Sequence, residues 1–158
     1  MPEPIEFRAV QNLQAALAGI STGGGYHYTV QASAVKLDPN HKVEDLVAPN
    51  GPRPFVLVDL GDEKWEYAPG KQIRRLTLPV TVWWVSDTTP TDDNSLLQTY
   101  FRGCADIEQA IAQDISRGGL CTDTRIVKRG LNRIGEGSQV WAGVELELWF
   151  HRPYGQPN

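Results

Sequence analysis

Closely spaced carboxylates are the residues of this chain best suited to acid–base chemistry. Glu145 and Glu147 are two residues apart in a segment of alternating polarity, so both side chains project from one face of a strand. The two carboxylates of a glycosidase normally come from separate elements around a cleft. The spacing therefore favours an acidic strip that faces solvent or a channel. Asp92 and Asp93 precede a helical pattern, and we interpret them as helix caps.

The histidines and cysteines give little support for metal or nucleophile chemistry. His27, His41 and His151 lie in separate segments and form no HxH or HxxxH pair, the spacing that makes a metal site recognisable. Cys104 and Cys121 form no CxxC, and Cys104 falls on the apolar side of a helical pattern, where a thiol packs. There is no Walker loop and no GxSxG motif. We predict no catalytic residues, no metal site and no cofactor.

The tryptophan content is unusual, since five tryptophans occur beside a single methionine. Trp84 shares one face of its predicted strand with aliphatic residues and is expected in the core. The opposite face of the two clearest strands carries Trp83, Trp141 and Trp149. In a two-layer domain without a partner, that face of the sheet is exposed to solvent. Exposed apolar patches mark interaction sites, and tryptophan is enriched in interface hot spots. We therefore predict that this face is covered by another chain.

The connection 61–71 supplies two further aromatic residues, Trp65 and Tyr67, which we include in the predicted interface. An alternative stays open at this point. Either this connection or the long loop 37–54 folds over the tryptophan face and buries it within the chain.

The loop 37–54 is rich in proline and is itself a candidate contact region. Loops longer than about 12–15 residues are uncommon in compact domains and are often functional. We expect contacts with a neighbouring molecule through its polar side chains, which are Asp38, His41, Lys42, Asp45 and Arg53.

Apolar periodicity predicts the elements that position these residues. Pro79 interrupts one predicted strand and cannot donate a ladder hydrogen bond, so we expect a sheet edge or a bulge there. The predicted helices are 4–20 and 95–116, the predicted strands are 26–36, 55–60, 72–86, 122–134 and 139–152, and a hairpin turn is predicted at 135–138.

This order of elements predicts an α+β fold. Strands joined by hairpins form a mostly antiparallel sheet of four to five strands, and the two amphipathic helices can pack on one of its faces. We expect one domain over residues 1–152 and a loose C-terminal tail at 153–158.

Composition excludes several classes of protein. The chain has 158 residues, of which 41% are hydrophobic and 22% are charged, and its net charge is −4. No segment approaches the roughly 20 apolar residues of a membrane-spanning helix, and the first residues lack the pattern of a secretory signal. Two cysteines are too few for a disulfide framework. The acidic balance argues against a protein that grips nucleic acid.

The layout resembles a known family over nearly the whole chain. An N-terminal helix ends in small residues and is followed by Tyr-His-Tyr at 26–28. The strands FVLVDLGDE at 55–63 and RLTLPVTVW at 75–83 come next, then a long helix with Asp-Ile at 114–115. A closing hairpin leads to the basic-aromatic end FHRPY at 150–154. The chain is similar in this order and pattern to the tail terminator (tail completion) proteins of long-tailed bacteriophages.

The resemblance implies a structural virion protein of the tail or neck that is assembled in the host cytoplasm. It implies a homo-oligomeric ring of about six copies, which caps the tail tube and joins it to head-completion proteins. DNA would pass through the lumen only as cargo. The residues fit two alternatives: another neck or tail-tube component, such as a head-completion protein, and a small soluble enzyme or ligand-binding α+β domain. The latter would need a concave pocket with convergent polar groups.

Overall fold

The computed structural model describes two long α-helices, one short α-helix, one 3-10 turn at Thr22–Gly24 and six strands. The described residues are 2–36, 38, 40–46, 51–67, 73–86, 92–132 and 140–153. The predicted turn 135–138 and residues 154–158 of the predicted tail lie outside them. The elements are α1 (Ile5–Ala18), β1 (Ala32–Lys36), α2 (Val43–Leu46), β2 (Phe55–Leu60), β3 (Lys64–Tyr67), β4 (Ile73–Val85), α3 (Asp93–Ala112), β5 (Asp123–Asn132) and β6 (Trp141–Pro153).

The strands form one sheet in the order β1-β2-β4-β6-β5, and β3 pairs with the remaining free part of β4. All pairs are antiparallel except β1–β2, which is parallel. This confirms the predicted α+β class and mostly antiparallel sheet, with one or two strands more than expected. The additional strand is β3, which lies inside the connection predicted at 61–71. Its four residues are too few for a clear alternating pattern.

One face of the sheet, here called the helix face, carries the main core. α1 buries Ala9, Val10, Leu13 and Leu17 in this core, and α3 buries Ile107 with its neighbours. Trp84 is 0% exposed there, as its strand position predicts. The opposite surface of the sheet is here called the far face.

α3 has a capped start and a close approach to the sheet, both set by single residues. The backbone N–H of Ser95 donates to Asp92 Oδ1 at 2.7 Å, which confirms the predicted cap. A Cβ at Gly103 would lie 2.7 Å from Trp84 Cε3, so only glycine permits the helix to approach the indole this closely.

The structure changes the prediction for residues 26–36, because only Ala32–Lys36 is a strand. The carboxylate of Asp106, on α3, accepts the backbone N–H groups of His27 and Tyr28, each at 2.9 Å. Because these two N–H groups donate to a side chain, they form no hydrogen bonds with a neighbouring strand. Asp106 is 0% exposed, so these bonds also satisfy the hydrogen-bonding capacity of buried carboxyl oxygens.

Pro79 lies at a local break in the pairing of β4. On one side β4 pairs with β6 throughout, whereas on the other it pairs with β3 through residues 74–77 and with β2 through residues 80–85. The carbonyl of Pro79 accepts the N–H of Gly61 at 2.9 Å. The N and C=O groups of one strand residue point to the same side, so the missing N–H faces the gap between β3 and β2. The predicted sheet edge at Pro79 is therefore limited to this residue and to the side of β4 that faces β3 and β2.

Candidate protein interface

The far face carries three of the tryptophans predicted to form an interface, Trp83, Trp141 and Trp149. Their positions along the β4–β6 ladder differ, and the chemistry of the face changes along the same direction from apolar to charged. The far-face pairs, in order, are Val85 with Trp141, Trp83 with Gly143, Thr81 with Glu145, Pro79 with Glu147, Thr77 with Trp149, and Arg75 with His151.

The apolar end of the far face is a second small core, made by Phe55, Leu57, Val85 and Trp141 with the half-buried Trp83 against them. The Trp83 and Trp141 rings meet edge to face, with centroids 6.2 Å apart. A Cβ at Gly143 would lie 3.1 Å from Trp83 Cζ3, so glycine leaves room for that ring.

The short helix α2 covers this apolar end. Its Val43 and Leu46 pack against the second core, and Trp141 is only 4% exposed in the single chain. α2 belongs to the loop 37–54, so the described part of that loop packs against the second core, of which Trp141 is a member. Among the predicted interface tryptophans of this face, Trp83 and Trp149 keep partial exposure.

The arginine end of the far face is centred on Trp149, which lies between two guanidinium groups. The Cζ atoms of Arg75 and Arg125 are 4.1 Å and 3.8 Å from the centroid of its ring. The indole N–H donates to Glu147 Oε2 at 2.8 Å. Cation–π contacts at exposed sites contribute about 0.5–1 kcal/mol each, so this stack fixes the orientation of the ring more than it stabilises the fold.

Ion pairs extend the arginine end across four strands. Arg75 Nη2 is 2.7 Å from Glu66 Oε2 on β3, and Arg125 Nε is 2.6 Å from Asp123 Oδ2 on β5. The surface therefore alternates anionic and cationic groups around one indole. Exposed pairs of this kind add little stability but set the charge pattern that a partner meets.

The two predicted acidic strip residues have different surroundings. Glu147 is half-buried and accepts the Trp149 indole N–H, whereas Glu145 is exposed and lies opposite Thr81 and Lys128 in the ladder. Glu145, Lys128, Thr81 and Trp83 also line a shallow groove of about 230 Å³ on the far face. One carboxylate and one amine lie in that groove, which suits polar contacts with a surface.

Trp65 and Tyr67 lie away from these tryptophans. They pair with Leu76 and Arg74 of β4, and this register places both on the helix face. Trp65 packs against the main core, and Tyr67 is 59% exposed. The described part of the connection 61–71 therefore contributes Glu66, and neither aromatic residue, to the charged far face.

The predicted contact loop is described only in part. Asp38 and His41 are exposed, with His41 Nε2 3.7 Å from Asp38 Oδ2. The N–H of Asn40 donates to Asp38 and lowers the pKa of that carboxyl. Lys42 is exposed, and burial lowers the pKa of the half-buried Arg53. Asp45 belongs to α2, and its side chain lies outside the described residues.

Both cysteines are buried thiols. Burial raises the pKa of Cys104 and of Cys121, so both favour the unreactive protonated form. The described residues contain no group of three or more His, Cys, Asp or Glu side chains able to hold a metal ion. None of the helices in the described ranges has the length and apolar character needed to span a membrane.

Sequence reasoning missed the arginines beside Trp149. A contact of Arg75 and Arg125 with Trp149 was not predicted, because periodicity assigns residues to a face without giving the register between strands. Part of this contact could have been predicted, because Arg75 and Trp83 are an even number of residues apart in β4 and therefore lie on the same face.

Comparisons with known proteins leave the family open. The chain matches no model of a known protein family. No curated protein matches its sequence either.

Proposed function

We propose that this protein is a tail terminator of a long-tailed bacteriophage. In this proposal about six copies form a ring that caps the completed tail tube and joins it to the head-completion proteins. The observation that carries the proposal is the order of elements and the sequence patterns over nearly the whole chain. They resemble those of the tail terminator family, and the α+β fold with its mostly antiparallel sheet is the fold which that resemblance implies.

The far face supports a role in protein contacts. The half-buried Trp149, between two arginines and two carboxylate partners of those arginines, combines the residue types that are enriched at interface centres. Arginine and tryptophan there are already held in place by their neighbours. Binding would therefore cost less side-chain entropy than it would with free side chains.

The charge balance supports a lumen through which DNA slides. A net charge of −4 for each copy makes the assembled ring strongly acidic, and an acidic wall does not hold phosphates. Glu145 is exposed but lies opposite Lys128 on the far face, so the support for an acidic lumen comes from the charge of the whole subunit.

Deletion of the gene in the phage that encodes it tests this function. A terminator stops growth of the tube, so its loss gives tails of irregular, excessive length beside filled heads, as seen by negative-stain electron microscopy. Expression of the wild-type protein from a plasmid restores normal tails. Normal-length tails that fail to join heads would contradict the proposal and indicate a head-completion protein instead.

A further inference from the structure

The turn between α3 and β5 buries a cation and exposes an apolar side chain. Arg117 is 0% exposed, whereas Ile115, two residues earlier, is 50% exposed. Arginine is rarely fully buried unless it is paired, and isoleucine is among the residues that are most often buried. The arrangement at these two positions is therefore the reverse of the usual one.

The buried position of Arg117 is costly in several ways. Its Nη2 donates to the carbonyl oxygens of Ile111, at 2.9 Å, and of Asp114. Its Nε and Nη1 are buried without a hydrogen-bond partner among the described residues, and burial lowers the pKa of the guanidinium. The backbone of Arg117 also has a φ of 51°, in the left-handed region that favours glycine.

Ile115 continues the apolar stripe of α3 beyond the end of the helix. Ile107 and Ile111 are 0% and 2% exposed, and Ile115 follows Ile111 at the same spacing of four residues. This spacing predicts a helix to residue 116, but α3 ends at Ala112. One more helical turn would bring Ile115 into line with the buried stripe.

The arginine and the additional turn compete for the same acceptor. In a continued α-helix the N–H of Ile115 would donate to the carbonyl oxygen of Ile111. In the structure that carbonyl accepts Arg117 Nη2 at 2.9 Å and the N–H of Asp114 at 3.3 Å. The helix can therefore lengthen only when the guanidinium leaves this position.

Other hydrogen bonds favour the turn as it stands. The Asp114 carboxylate accepts the hydroxyl of Ser116 at 2.9 Å and the N–H of Gly118 at 2.6 Å, and these bonds lower its pKa. The hydroxyl of Thr124 donates to the carbonyl oxygen of Ile115 at 2.7 Å. These bonds offset the cost of the buried guanidinium, so favourable contributions exist on both sides of a conformational change.

We propose that the turn at residues 113–121 is a two-state element in which Arg117 and Ile115 exchange places. In the closed state, which the structure describes, Arg117 is inside. In the released state α3 gains one turn, Ile115 packs beside Ile111, and Arg117 reaches solvent. The exchange replaces an isoleucine by a guanidinium on the surface at this end of α3. It does not depend on the tail terminator function.

Cysteine labelling under native conditions measures the opening of the turn. The Cys121 thiol is 7% exposed and lies 3.5 Å from the carbonyl oxygen of Ile115, so it loses its cover when Ile115 moves. Cys104 is 0% exposed in the main core and reports global unfolding of the same molecule. With iodoacetamide and mass spectrometry of peptides, we expect Cys121 to be labelled about a hundredfold faster than Cys104. Equal rates would overturn the proposal.

Ile115→Gln tests the exchange at a position where the closed state tolerates a polar side chain. Because Ile115 is buried only in the released state, glutamine penalises that state, and labelling of Cys121 should slow about tenfold. Leu97→Gln is the matched control, since Leu97 is an aliphatic residue of α3 with 45% exposure that lies outside the turn. A rate that Ile115→Gln leaves unchanged, or that both variants change equally, contradicts the exchange.

Arg117→Met separates a two-state element from a simple helix cap. Methionine keeps an unbranched stem but removes the charge and the unpartnered donors, so it should favour the closed state. We expect labelling of Cys121 to slow about tenfold relative to wild type. If Arg117 served only as a cap, its loss would take a donor from the carbonyl of Ile111 and would speed the labelling of Cys121. That result would overturn the proposal.

Discussion

Strand alternation predicts the same exposed environment for the tryptophans at both ends of the far face, but the structure buries them to different extents. At the apolar end, Trp141 is buried in the second core, against which the chain's own α2 packs. At the arginine end, Trp149 is flanked by Arg75 and Arg125 and stays half-buried. Alternation in a strand therefore identifies the face of a residue, and what covers that face depends on contacts distant in sequence.

The largest expected effect is at the apolar end. Trp141→Ala should lower the free energy of unfolding by about 3–5 kcal/mol, because it empties a packed site that no other side chain fills. Urea unfolding followed by circular dichroism measures the loss. A loss below about 1 kcal/mol would mean that Trp141 is not part of a core.

The cover over that end can be tested separately. Leu46→Ala in α2 should cost about 1–2 kcal/mol, since Leu46 is only partly buried against the second core. It should also raise the fluorescence quenching of tryptophan by iodide. Unchanged stability and quenching would show that α2 does not protect Trp83 and Trp141 in solution.

At the arginine end, Trp149→Ala should weaken assembly more than it lowers the stability of the subunit. We expect a loss of about 1–2 kcal/mol in subunit stability, because the side chain is half-buried and its two cation–π contacts are modest. Assembly onto tail tubes should weaken by about 2 kcal/mol or more if Trp149 anchors a contact. If Trp149→Ala lowered subunit stability as much as Trp141→Ala does and left assembly intact, Trp149 would belong to the core.

The smallest effect concerns the guanidinium groups. Arg125→Ala should lower subunit stability by about 0.5–1 kcal/mol through loss of its contact with Trp149, and Arg125→Lys should lower it less. Most of the stability difference between wild type and Arg125→Ala should persist in high salt, because salt screens a stacked cation less than an exposed ion pair. A difference that vanishes in high salt would assign the effect to the Asp123 ion pair.

The sequence allowed the fold class, both long helices and the faces of β4 and β6 to be predicted. Strong periodicity over more than ten residues made these elements clear, and Asp92 marked the start of α3. β3 was missed because it has four residues, and residues 26–31 were overextended because Asp106 binds their backbone from α3. Neither fact has a local signature.

The candidate interface was predicted less completely for the same reason. The face of Trp83, Trp141 and Trp149 followed from alternation. The placement of Trp65 and Tyr67 on the helix face required the β3–β4 register, which is a tertiary property. The arginine pair around Trp149 comes from two strands separated along the chain by a helix.

The central proposal is that copies of this protein form the ring that ends a phage tail. Cryo-electron microscopy of purified tail tubes incubated with the full-length protein tests it most directly. The account predicts a single ring of about six copies at one end of each tube, with a central opening wide enough for DNA. Tubes that stay bare at both ends, beside a folded protein that never forms rings, would contradict it.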